Sequence, residues 1–234
     1  MANTFELLAL EMRGRAASKP ERQSSDGTNK VAWLARDTSV VMMPWEQALV
    51  FEGVVWDVTV GSFSTPITGG GAGTILDQDQ PELVIDVPAG VAIVPLRVHA
   101  ACQLQLIAAD SDEAEILLAV DRTAISSASA TNGTVETPLN KRTDKIGGSR
   151  CTVVSAVTVN LTVAPTLSKE LMHVVKVADL QGTAANAMWN DLELLYEGTD
   201  YIVGPATVVL YWGGTAAVPG FGEFSYAEFD ATAY

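Results

Sequence analysis

The chain has 234 residues, of which 48% are apolar and only 18% charged, and its net charge is −14. That length suits one large β domain or two small ones, and it buries a core without needing disulfide or metal staples. The acidic balance argues against a body that grips a phosphate backbone, because such binding depends on Lys and Arg displacing counterions. Soluble domains carry about 25% charged residues, so the low charge suits a surface partly covered by neighbouring molecules.

Residues 1–12 have the spacing of a short amphipathic helix, with Phe5, Leu8 and Met12 on one face. Residues 13–30 are rich in Gly, Pro, Ser and charge and lack an apolar period, the composition of a linker or arm. Six basic residues (Arg13, Arg15, Lys19, Arg22, Lys30 and Arg36) fall among the first 36, against four acidic ones. Eight basic and twenty-four acidic residues follow. A slightly basic arm on a strongly acidic body suits docking onto an acidic neighbouring copy, or simple solvation. We therefore divide the chain into an arm over 1–47, a β domain over 48–219 and a C-terminal segment over 220–234. The start MANTFELLALEMRGR lacks the basic-then-apolar order of a secretory signal, and no apolar run has the length of a membrane span.

Strands are expected over 49–60, 82–87, 91–109, 115–122, 151–163, 171–177, 192–198 and 206–213, where β-branched and apolar residues alternate between turn signals. Pro95 interrupts the third segment, 91–109, and marks a bulge or a sheet edge. Residues 111–124 also read as a helix, and 182–191 as a turn of one. About eight strands joined by long, uneven connections favour two packed sheets with Greek-key crossings. The expected fold is all-β: a jelly-roll-like antiparallel β-sandwich with an extended N-terminal arm and a C-terminal tail. An immunoglobulin-like sandwich ranks second, because the Cys…Trp…Cys spacing is missing. Cys102 and Cys151 lie in apolar runs and read as reduced core thiols.

Catalytic chemistry has little to work with. His99 and His173 sit in apolar strand runs and read as sheet-face or core histidines, with an inter-strand metal or base pair as the sharper alternative. The glycine-rich loop 69–73 lacks the Lys and following helix of a phosphate cradle. Asp77 and Asp79, and Asp110, Asp112, Glu113 and Glu115, offer oxygen ligands of the kind calcium takes, but neither group has the spacing of an EF-hand. They read as solvated acidic faces. No catalytic residue, cofactor or metal is expected, and the chain reads as non-enzymatic.

The segment 220–234 gathers Phe221, Phe224, Tyr226, Phe229 and Tyr234 among Gly, Ser and acidic residues. Aromatic side chains anchor interfaces, so this tail reads either as a docking element or as a last strand along its own sandwich. Partner-binding candidates are therefore Arg13, Arg15, Arg22 and Trp33 in the arm, and Phe221, Phe224, Tyr226 and Phe229 in the tail.

The stretches VIDVPAGVAIVPLRV (84–98), SDEAEILLAVDR (111–122) and GPATVVLYWGG (204–214) combine short alternating strands, a Pro-Ala-Gly turn and few charges. In this they resemble structural proteins of tailed bacteriophages, over roughly residues 48–215. The resemblance is one of composition and pattern, and no individual residue's role is carried across. It implies a sandwich, often trimeric, that binds other virion proteins, the major capsid protein foremost. It also implies a place in the virion after assembly in the host cytoplasm, and a role as a cement, decoration or minor capsid protein. The alternative is a tail-associated module that recognises a receptor or carbohydrate.

Overall fold

The computed structural model describes residues 44–69, 76–105, 112–122, 133–145, 147–157, 161, 165–178, 189–198, 200–214 and 218–233. The arm up to residue 43, with Arg13, Arg15, Arg22 and Trp33, lies outside the described residues.

Among the described residues one α-helix, α1 (Trp45–Glu52), precedes thirteen strands. In chain order these are β1 (Val55–Val60), β2 (Ile67–Thr68), β3 (Leu83–Val87), β4 (Val91–Gln105) and β5 (Asp112–Asp121). Next come β6 (Thr134–Glu136), β7 (Leu139–Asn140), β8 (Thr152–Ser155) and β9 (Lys169–Ala178). The last four are β10 (Trp189–Tyr196), β11 (Ile202–Val203), β12 (Ala206–Gly214) and β13 (Pro219–Asp230). The first sheet runs β10-β4-β13-β1-β7, with β11 also on β4 and β2 on β13, and the second runs β6-β8-β3-β12-β5-β9.

Eight of these strands pair as nested antiparallel partners: β1 with β13, β3 with β12, β4 with β10, and β5 with β9. The first and third pairs lie in one sheet and the second and fourth in the other. A long antiparallel ribbon wrapped around itself gives that order, which is the jelly-roll arrangement expected from the sequence. Of the five remaining short strands, β7 ends the first sheet and β8 and β6 end the second, while β2 and β11 pair with β13 and β4.

Inward-facing residues of both sheets form the core, with Trp56, Val58, Ile85, Ile93, Leu118, Val208, Trp212 and Phe224 among its buried members. Strand β12 is buried along its whole length. Its inner face carries Val208, Leu210 and Trp212. Val209 and Tyr211 lie in a second cluster with Leu117, Val154 and Leu161. Such two-sided burial explains why 206–213 reads as a near-continuous apolar run.

Several sequence expectations need correction. Residues 45–52 are helix, so the strand expected from 49 begins only at Val55. The helix also straddles the arm–domain boundary placed at 47/48. Of the described residues in 151–163, only the four-residue β8 is strand, and it ends before Ala156 at a positive φ of 50°. Residues 112–121 are strand, as expected over 115–122, and the helix also weighed for 111–124 does not form there. The segment 220–234 is not a free tail: β13 pairs with both β1 and β4 in the middle of its sheet. It is the last strand along its own sandwich, the second of the two readings above, and Gly220 within it lies against a neighbouring indole.

Strand β4 does run through Pro95 as one element. On one side Ser225 pairs with Arg97 while Tyr226 pairs with Pro95, leaving Leu96 as the extra residue of a bulge. On the other side β11 pairs at Ala92 and Ile93 and β10 starts at Val98. Pro95 therefore sits in the gap between two partners, where its missing N–H breaks no ladder bond.

A candidate docking surface around the first helix

Helix α1 exists because its ends and one face are held. Pro44 precedes it and Gly53 closes it in the left-handed region at φ 71°, donating its N–H back to Leu49 and Val50. Leu49 is buried against Val55, Val94, Ala227 and Phe229 on the outer face of the first sheet. The loop after β7 pins the C-terminal end: Arg142 Nη1 donates to the Phe51 carbonyl at 2.8 Å, and Asn140 Nδ2 donates to the Gly53 carbonyl at 2.9 Å. A cation on the last carbonyls also complements the helix dipole. Asp144 holds the same guanidinium at 2.5 and 2.6 Å.

This docking leaves a cleft of about 570 Å³ between the helix and the sheet. Val50, Phe51, Val55 and Leu96 give it an apolar wall, and Glu46, Arg97, Lys141 and Glu197 give it a charged rim. The bulge at Leu96 shapes the cleft, since it turns both Leu96 and Arg97 toward it. On the floor, Ser225 Oγ donates to Asp57 Oδ1 at 2.7 Å. Among the described residues Arg97 and Lys141 have no carboxylate partner. Large apolar side chains stay in water nearby on the same helix, Trp45 at 47% and Phe51 at 52% exposure. Exposed apolar residues also mark the short edge strands, Val135 on β6 and Leu139 on β7.

Of the aromatic candidates, Phe224 and Tyr226 are completely buried in the core and offer nothing to a partner. Phe229 is buried beneath α1, where it anchors the docking helix. Phe221 remains half-buried on the outer face, edge-on to His99 at 6.4 Å. Trp45, Phe51, Leu96 and Arg97 were missed by sequence reasoning. Pro44 and Gly53 bracketing eight residues was the available helix signal.

The two histidines lie on different sheets and do not meet. His99 contacts Glu193 at 2.8 Å and His173 contacts Glu115 at 2.6 Å, each across neighbouring strands. Both cysteines are free and buried, and burial pushes both thiols up, Cys151 to about 12. In the acidic loop the Asp79 amide donates to Asp77 Oδ1 at 3.0 Å, a local turn contact. No cluster of three metal-ligating side chains occurs among the described residues. No described helix is long and apolar enough to cross a membrane.

No family model and no curated protein matches the chain.

Proposed function

We propose that this chain is a structural virion protein, a cement, decoration or minor capsid component that binds and stabilises a phage head. The observation that carries the reading is the α1 surface, where exposed Trp45 and Phe51 flank a cleft with an apolar wall and two cations that have no carboxylate partner among the described residues. Buried aromatic anchors ringed by polar groups are what hold protein interfaces together. A partner segment offering an apolar side chain next to a carboxylate fits both halves of the cleft. The jelly-roll frame supports the reading, because viral capsid domains use that frame, although lectins and cupins use it too.

In this account the arm over 1–47 adds a second docking element, the body assembles as a trimer, and the chain acts without catalysis. Binding restricted to the assembled shell would stabilise that shell by mass action. The experiment is co-sedimentation with purified phage heads, together with the light-scattering mass of the free chain. The reading expects stoichiometric pelleting with heads and a free mass about three times 24.7 kDa. A monomer that stays in the supernatant contradicts it.

A further inference from the structure

A second recess of about 320 Å³ lies apart from the α1 cleft and shares no residue with it. It is lined by Arg122, Lys169, Leu171, Asp200, Tyr201 and Val203. We infer that this recess binds a carboxylate-bearing sugar, about one acidic monosaccharide unit in size.

The walls are fixed before any ligand arrives. Asp200 accepts from Lys169 Nζ and, at 2.6 Å, from Tyr196 Oη. The Arg122 amide donates to Ser168 Oγ at 3.2 Å, and the neighbouring Asp121 carboxylate accepts from the Thr166 amide at 2.7 Å. On the opposite wall Gly204 donates to the Val91 carbonyl at 2.9 Å. A Cβ on Gly204 would stand 2.1 Å from the Pro88 carbonyl oxygen, so the turn after Val203 is seated tightly on its neighbour.

Three kinds of group converge there. Arg122 is exposed and has no carboxylate partner among the described residues. Its guanidinium matches a carboxylate with two parallel hydrogen bonds. Tyr201 and Val203 keep 44% and 48% of their surface in water, an apolar patch suited to the C–H face of a pyranose. Asp200, held in place by two donors, is an acceptor for sugar hydroxyls. A neutral sugar would leave Arg122 unmatched, and a simple anion would leave Tyr201 uncovered. Lys169 is taken up by Asp200, so the unmatched charge of the recess among the described residues is the Arg122 guanidinium, which points to an anionic ligand. The inference does not depend on the head-binding proposal.

The test is titration of the full chain with glucuronate, N-acetylneuraminate, glucose and acetate, followed by ligand-observed NMR. Millimolar binding of one acidic sugar is expected, with glucose and acetate each weaker by about tenfold or more. Arg122→Ala and Tyr201→Ala should each weaken that binding by about tenfold, and Arg122→Lys should restore only part of it. Phe51→Ala, in the other cleft, should leave it unchanged. Both Arg122 and Tyr201 are exposed, so the variants retain the fold, which circular dichroism checks. Failure of both acidic sugars to bind, acetate binding as tightly as the sugars, or unchanged binding in Arg122→Ala overturns the inference.

Discussion

Gly220 lies against the indole of Trp212 so closely that a Cβ on it would stand 2.8 Å from Nε1. Trp212 is fully buried, and its indole N–H donates to the Ile67 carbonyl at 3.2 Å. The first residues of the last strand are therefore shaped around the core. Gly220→Ala should destabilise the fold by about 1–3 kcal/mol through overpacking, measured by urea denaturation. An unchanged midpoint would mean that the C-terminal strand is loosely held.

Phe224 and Phe221 stand three residues apart on one strand and should behave differently. Phe224→Ala removes a side chain with no exposed surface, at a cost of about 3–5 kcal/mol. Phe221→Ala trims a half-buried ring on the outer face, and should cost less than about 1.5 kcal/mol. Equal costs from paired melts would contradict the assignment of faces along β13.

These two residues also show what the sequence could and could not disclose. Segments such as 82–87 and 206–213 were legible because β-branched and apolar residues fill them between turn signals, with one or both faces buried in the same register throughout. The jelly-roll order was legible only as a class, since pairing β1 with β13 joins residues separated by almost the whole domain. Helix α1 was hidden because Leu49, Val50 and Phe51 run into the true strand at Val55, and local pattern alone does not separate short apolar helix from strand. The cleft was illegible for another reason. Its wall joins Phe51 to Leu96, and only the bulge beside Pro95 brings Leu96 and Arg97 to that face together.

Glu228 ties the core to the loop before β8. Its carboxylate accepts from Ser149 Oγ at 2.6 Å, from the Arg150 amide at 3.0 Å and from Arg150 Nε at 2.6 Å. The carboxylate side chain is 7% exposed while the arginine side chain is 46% exposed. Glu228→Ala therefore removes the acceptor of a half-buried hydroxyl and of the Arg150 amide, leaves that hydroxyl its contact with Tyr226 Oη at 2.8 Å, and strands no buried cation. Chemical denaturation should show a loss of about 2–3 kcal/mol. A neutral result would mean that water replaces the carboxylate without cost.

Asp200 gives the fold a weak acid dependence. Hydrogen bonds from Lys169 first, then Tyr196, hold its carboxyl below the ordinary value of 3.8. A depressed acid contributes stability above its unfolded pKa and loses it as pH falls through the folded value. Wild type should therefore melt above Asp200→Asn at pH 7, with the gap closing on acidification below about pH 4. Lys169 is half-exposed, so screening limits the gain to less than about 1 kcal/mol. A gap that persists unchanged at pH 2.5 would assign the effect to packing.

The account rests on the α1 surface being covered when the chain is in place, and oxidative footprinting of Trp45 and Phe51 measures that directly. In the free protein both side chains should label readily, since each exposes about half its surface. Mixed with phage heads, both should become protected, while Phe63, at 75% exposure, should label as before. Equal labelling of Trp45 and Phe51 with and without heads would contradict the docking role.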